Sequence, residues 1–329
     1  MQKIRQLSLH EAQKIAAGEV VERPANVVKE LIENAIDAGA TSISIYIEAA
    51  GQQLIRIVDN GCGMSVEDAH ACFGHHATSK ISTVGDLMSL TTFGFRGEAL
   101  SSIAAVSLVN LLTKQESDES GIFIERHANN LVAEECRPCS VGTDIIIKDI
   151  FYNVPARKKF LKKQETEWRA IVHLFNAFCL DYPSIYFKLY SENKLIHNCP
   201  ATTSSLLRVG QLWDQNDAQH ILSLPLYSHD GVTISGAVSN HQYYKYDRSY
   251  MYFFVNKRWV KNSHLVRAAV RGYANVIPAD RYPVTSINIE IDTAQVDINI
   301  HPRKEEVQFL HPRRIENCIT QAIKKSPRK

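Results

Sequence analysis

The chain has 329 residues, 45% of them hydrophobic and 22% charged, with a formal net charge of +2. This balance excludes a disordered chain, and it makes any nucleic-acid-binding surface a local feature. No apolar run reaches the roughly 20 residues of a membrane span, and the opening MQKIRQLSLHEAQ lacks the apolar core of a signal peptide. Seven cysteines at irregular spacing point to free thiols in a reducing compartment. Cys136 and Cys139 form a C-x-x-C with no second pair at zinc-like spacing, so that stretch reads as a surface loop.

Ser8 and Glu11 have the spacing of a capping box opening a short helix through Ala17. Pro24 suits the first turn of the next helix and Gly39 its end. On that helix Glu30, Asn34 and Asp37 recur at i, i+4 and i+7, one polar stripe, while Val28, Leu31, Ile32 and Ala35 make the opposite apolar one. TSISIYIEA alternates Ile43, Ile45 and Ile47 as a half-buried strand, and Gly51 turns it into a second strand, LIRIVD, with Asp59 at its exit. Residues 65–73 read as helical, and EALSSIAAVSLVNLL as a helix passing into a strand. GTDIIIKDIF, at 142–151, is another strand. The first domain is expected to be α+β, with helices on one face of a mostly antiparallel sheet.

Elements of a second domain begin near FYNVPARKKFL. A helix over about 164–180 carries Trp168, Ile171, Val172, Phe175 and Phe178 at helical spacing, as core positions. MYFFVNKRWV reads as two strand pieces around a tight turn, and 263–275 as a helix. Ile287, Ile289 and Ile291, then Val296, Ile298 and Ile300, alternate as two strands, and a last helix follows Pro312.

Several residues carry possible chemistry. Asp59 beside Gly61 and Gly63 presents a carboxylate next to bare backbone, where a flat ring with an exocyclic amine can approach. Taken alone, D-N-G is equally an ordinary turn. FGFRGEAL puts Gly94 and Gly97 before a helix, a place where backbone N–H groups attract phosphate oxygens; alone it is a glycine-rich loop. Asn34 offers an amide oxygen to magnesium, and Glu30, one turn earlier, a base for a water aligned on a terminal phosphate. The bland reading of both is an exposed polar helix face. Lys304 in HPRKEEV is able to neutralise phosphate charge, although most loop lysines are merely solvated.

Together, IAAGEVVERPANVVKELIENAIDAGA, DNGCGM, HHATSKI, FGFRGEAL, FYNVPARKKFL and VDINIHPRKEEVQF resemble the N-terminal ATPase region of the MutL family of DNA mismatch repair proteins, from about residue 10 to about 310. The resemblance implies a Bergerat (GHKL) ATP-binding α/β sandwich, as in type II topoisomerases, large heat-shock chaperones and sensor histidine kinases. It implies a second α/β domain of the ribosomal-protein-like left-handed βαβ type. The division expected is 1–200 for the ATPase domain and 201–329 for the second. A C-terminal dimerisation domain, which the family normally carries, is not seen in these residues.

Carried over by motif, Glu30 corresponds to the general base, Asn34 to the Mg2+ ligand and Asp59 to the adenine-recognising residue, with Gly61 and Gly63 in its turn. Thr78, Ser79 and Lys80 fall near the ATP. Gly94, Phe95, Arg96, Gly97, Glu98, Ala99 and Leu100 form the phosphate lid, Thr143 lines the adenine pocket, and Lys304 reaches the γ-phosphate from the second domain. The implied activity is slow Mg-dependent ATP hydrolysis, with ATP-gated homodimerisation and sequence-independent clamping of the DNA backbone. The implied partners are a mismatch-recognition protein of the MutS type and a downstream nuclease or helicase, in a bacterial cytoplasm at the nucleoid. Candidate DNA contacts are Arg157, Lys158, Lys159, Lys162, Lys163, Arg267 and Arg271. The sequence departs from the family in two places. Lys257 stands where the family turn V-N-G-R has glycine, which leads one to expect a different turn. His264 stands where an arginine touching DNA is expected. Two other readings stay open: a non-enzymatic ATP-gated DNA-binding scaffold, and another GHKL enzyme such as a topoisomerase ATPase region.

Overall fold

The computed structural model describes residues 18, 21–74, 99–213, 215–297 and 306–326. The chain divides into two compact units, 1–174 with 185–200, and 175–184 with 201–329.

In the first unit, helix α1 (Pro24–Asp37) begins with proline in its first turn, where a missing N–H costs nothing. The Asn26 side-chain oxygen accepts from the Arg23 N–H at 3.1 Å and tightens that entry. Val27, Val28, Leu31, Ile32 and Ala35 are buried. The helix stops at Gly39, whose φ of +74° suits glycine. The hairpin of β1 (Ser42–Glu48) and β2 (Leu54–Asp59) follows, with Ile45 opposite Ile57. Next come α2 (Val66–Ala71), capped by Ser65, and α3 (Ala99–Ala105). Strands β3 (Leu108–Lys114), β4 (Gly121–His127), β5 (Asn130–Arg137) and β6 (Gly142–Lys148) complete the middle. Helices α4 (Pro155–Phe160) and α5 (Gln164–Asp181) lead to β7 (Tyr186–Ser191) and β8 (Lys194–Cys199).

These strands form one eight-stranded sheet in the order β5-β4-β3-β6-β2-β1-β7-β8. Every neighbouring pair is antiparallel except β1 with β7. Ile43, Ile45, Ile47, Ile55, Ile57, Val109, Leu111, Ile145, Ile147, Phe187 and Leu189 make its buried face. Each such side chain taken from water contributes about 2 kcal/mol, which fixes the register because a one-residue slip would turn the whole set outward.

The second unit contains α6 (Ser205–Leu212), α7 (Gln215–Ala218), β9 (Ile221–His229), β10 (Val232–Ser239), β11 (Tyr244–Lys245), β12 (Met251–Val255), β13 (Arg258–Val260), α8 (Ser263–Gly272), β14 (Tyr282–Pro283), β15 (Thr285–Ile291), β16 (Val296–Asp297), β17 (Gln308–Phe309) and α9 (Pro312–Lys325). Its five-stranded sheet runs β13-β12-β15-β10-β9, with β12 and β15 parallel and α8 in the crossover between them. Ile234, Phe253, Ile287 and Ile289 from the sheet share a core with Leu265, Ala268, Ile315, Ile319 and Ile323 from α8 and α9. A Cβ at Gly272 would stand 2.7 Å from Ile323, so the two helices approach as closely as they do because that residue is glycine.

The α+β expectation holds, with helices on a mostly antiparallel sheet and a second α/β unit. Three local expectations change. The turn at 255–258 keeps two left-handed residues, Asn256 at φ 49° and Lys257 at φ 60°, so lysine does not alter it. The Asn256 side chain holds it, donating to Ile291 O at 2.8 Å and accepting from Ile291 N–H at 3.0 Å. The two hydrogen bonds offset the roughly 1–2 kcal/mol that a side chain costs in that conformation. Cys136 lies in β5 and not in a loop. Trp168 and Val172 are only half-buried, although Ile171, Phe175 and Phe178 are core. The capping box at Ser8 and the alternating pair Ile298 and Ile300 lie outside the described residues.

Candidate functional site

Helix α1 lies along β2. A Cβ on Gly51, before β2, would stand 2.8 Å from Pro24 Cβ, and one on Gly61, after β2, 2.8 Å from Ala38 Cβ. The end of α1 thus abuts the loop after β2. One backbone hydrogen bond connects them, Cys62 N–H donating to Ala38 O at 3.0 Å, while Ala38 N–H closes the last turn of α1 by donating to Asn34 O at 2.9 Å. Asn60 secures the same corner, its side-chain oxygen accepting from the Thr41 and Ser42 N–H groups at 2.9 and 2.8 Å.

Asp59 is the last residue of β2, paired in register with Thr143 of β6. Burial pushes its carboxyl up, while backbone N–H donation from Gly61 and Thr143 pulls it back and Asp144 adds a smaller upward push. The Gly61 bond, to Oδ1, is 2.8 Å. Gly63 has φ +67°, and a Cβ there would fall 1.9 Å from Lys114 O. Only glycine lets the loop close against β3 at that point. Thr113 Oγ1 accepts from Met64 N–H at 3.0 Å, donates to Gly142 O at 2.9 Å and lies 3.2 Å from Thr143 Oγ1.

The structure therefore brings together Asp59, Gly61, Gly63, Thr143 and the C-terminal end of α1. Glu30 and Asn34 are half-buried on α1, off its apolar stripe. Ala99 and Leu100 open α3 and are half-buried. Thr78, Ser79, Lys80, Gly94, Phe95, Arg96, Gly97, Glu98 and Lys304 lie outside the described residues. Sequence reasoning passed over Lys29, which is buried with its ammonium 2.7 Å from Glu33 and 3.6 Å from Glu30. The i, i+4 spacing of Lys29 and Glu33 was its legible signal. Asn60 and Thr113 were passed over as well; neither stands in a pattern that shows at sequence level.

Among the basic candidates, Lys158, Lys159, Lys162 and Lys163 are all exposed, at α4 and just beyond it. Arg157 is half-buried and donates to Val21 O at 3.4 Å, and burial lowers its pKa. On α8, Arg271 donates to Glu316, and His264 Nδ1 lies 3.0 Å from Glu316 and 3.1 Å from Arg267. Part of that helix's positive charge is thereby neutralised. No group of three or more His, Cys, Asp or Glu side chains able to hold a metal occurs among the described residues. Among those residues no helix is long and apolar enough to cross a membrane.

Residues 22–140 match the family model described as histidine kinase-, DNA gyrase B-, and HSP90-like ATPase, and residues 209–327 that of the DNA mismatch repair protein C-terminal domain. The DNA mismatch repair protein MutL of Halothermothrix orenii is 40% identical over 98% of this chain and 50% of its own length. That of Parabacteroides distasonis is 41% identical over 96% and 51%. The chain spans about half the length of the curated relatives it matches. Among solved structures, the MutL ATPase domain of Aquifex aeolicus complexed with ADP aligns with TM-score 0.64 and 29% identity, over 83% of this chain and 93% of that one. The N-terminal domain of a DNA repair protein aligns with TM-score 0.83 over 95% and 96%, at 20% identity, a likeness of fold. The chain belongs to the MutL family of DNA mismatch repair proteins and carries a GHKL-type ATPase domain.

Proposed function

We propose that the chain binds ATP with magnesium beside α1 and the end of β2, hydrolyses it slowly, and uses the nucleotide state to pair two copies around DNA during mismatch repair. The observation that carries this reading is Asp59. Its carboxylate accepts from the Gly61 N–H, at 2.8 Å to Oδ1, and from the Thr143 N–H, and a carboxylate has further lone pairs with which to accept from an adenine amine. Glycine at 61 and 63 keeps the approach clear of side chains. Thr143, beside Asp59 in the sheet, is a polar neighbour for the base.

The residues also fit the cation. Asn34 offers a hard, neutral oxygen, and magnesium that keeps its waters and phosphate oxygens needs few protein ligands. When bound, the ion neutralises charge on the phosphates. Glu30, one turn before Asn34, aligns the attacking water and takes its proton. Lys304 completes the set by neutralising γ-phosphate charge. The same reading gives the family's partners to the full-length protein: a mismatch-recognition protein of the MutS type and a downstream nuclease or helicase.

Replacing Glu30 by Ala is expected to abolish ATP turnover while calorimetry still detects binding of a non-hydrolysable analogue. Unchanged turnover rejects Glu30 as the base. An unaltered chain that binds the analogue but never hydrolyses ATP, with or without DNA, is a nucleotide-gated scaffold and not an enzyme.

A further inference from the structure

Lys29 is buried in the middle of α1. Its ammonium lies 2.7 Å from Glu33 Oε1 and 3.6 Å from Glu30 Oε1. The side chains of Lys29 and Glu33 are both 9% exposed, and that of Glu30 is 25% exposed. Glu30 and Glu33 stand at i and i+3, neighbours on the helix surface, where like charges repel. Successive residues of a helix do not face each other. Lys29 therefore comes within ion-pair distance of Glu30 because its long stem carries the ammonium round to a place beside both carboxylates.

Helix stability does not call for this arrangement. A lysine four residues before a glutamate is the weaker of the two orders for such a pair. Stability of the fold does not call for it either. Taking two charges out of water costs much of what their attraction returns, and apolar residues of similar volume in place of a buried pair are often neutral or better. Docking of α1 is already provided by Val28, Leu31, Ile32 and Ala35. What Lys29 changes is the state of Glu30. It offsets the charge of Glu33 on the side of the helix where phosphates are proposed to lie. It also draws one oxygen of Glu30, which narrows the swing of a flexible side chain. A base that takes a proton from water has to sit within hydrogen-bond reach of it, and a misplacement of about 1 Å costs roughly a hundred-fold in rate.

We propose that Lys29 is a positioning residue for ATP hydrolysis: its ammonium offsets Glu33 and holds the Glu30 carboxylate in one orientation for the attacking water. The inference rests on the reading of Glu30 as the base and adds to it the group that aims that base.

The test compares the parent with Lys29→Met, with the double variant Lys29→Met, Glu33→Met, and with Glu30→Ala. Lys29→Met leaves Glu33 in the interior without its countercharge and is expected to lower the urea midpoint. The double variant removes both charges and is expected to bring the midpoint back near that of the parent. In this refolded background kcat should stay roughly ten- to hundred-fold below the parent. KM for ATP and calorimetric affinity for a non-hydrolysable analogue should remain within about two-fold. A role confined to pairing Glu33 would return kcat together with stability, so a parental kcat in the double variant overturns the proposal, as does a raised KM with kcat unchanged. A second comparison does not depend on the double variant: Lys29→Arg, which keeps the charge, should retain more kcat per folded molecule than Lys29→Gln. Equal values for those two overturn the proposal as well. If Glu30→Ala hydrolyses ATP as the parent does, the reading of Glu30 itself fails. If Glu30→Ala is inactive while the double variant turns over at the parent rate, only the role given to Lys29 fails.

Discussion

Asp59 illustrates how much a single carboxylate depends on its surroundings. Burial raises its pKa, so the fold favours the protonated form, and the stability this group contributes is present below its unfolded pKa and lost as pH rises through the folded one. At neutral pH its ionisation is thus a cost to the fold, one the proposed adenine contact would turn to use. Asp59→Asn keeps an oxygen for the Gly61 N–H. It should show a thermal midpoint no lower than the parent at pH 7 without nucleotide, and lack the upward shift that ATP analogues are expected to give the parent. A lower midpoint with the shift preserved would reject the assigned role. Asp181, the last residue of α5, obeys the same sign: burial pushes it up to about 7, against a downward pull from Lys257. Asp181→Asn is expected to raise the urea midpoint at pH 8 and leave it nearly unchanged at pH 4. The reverse order of effects would show that the carboxylate is stabilised in the folded protein.

Among the elements, α1 combines two tasks. Its apolar stripe docks it on the sheet, and its last turn receives the loop that carries Asp59. Its start is set from a distance in sequence, because Arg23 is held by Glu167 of α5. Removing one partner of a buried ion pair leaves the other without compensation and typically costs about 3 kcal/mol. Glu167→Ala should lose stability of that order in urea denaturation, and Glu167→Gln, which can still accept from the Lys162 N–H, should lose less. Equal, negligible losses would mean that the clamp does not hold the two elements. No local pattern announces this link: residues 144 apart meet only when the chain is folded.

For the molecule as a whole, a net charge of +2 provides almost no general attraction to DNA, so the DNA binding proposed above would have to come from local clusters such as the one after Pro155. Binding to duplex is expected to fall steeply between about 50 and 200 mM salt with little sequence preference. Replacing Lys158 and Lys159 together by Ala should reduce the logarithmic salt slope by about one for each phosphate that is no longer neutralised. A slope that stays the same, measured by anisotropy, would place the DNA-binding charges elsewhere.

The sequence by itself determined the alternating isoleucines of β1 and β2, the polar and apolar stripes of α1, and the Asp59 turn. These are local periodicities and local backbone needs, legible because a strand repeats every 2 residues and a helix every 3.6. Strands β4, β5, β7 and β8 were not read. β5 is exposed at nearly every position and has no buried face to impose alternation, and the parallel pairing of β7 with β1 joins segments more than a hundred residues apart. Only the tertiary structure decided that Lys29 and Glu33 are buried together, that Lys257 keeps a left-handed turn under the hold of Asn256, and that Glu167 holds the turn after α4 to the residue that precedes α1. In each case the deciding energy is a hydrogen bond or a burial made by distant parts of the chain, which no window of neighbouring residues contains.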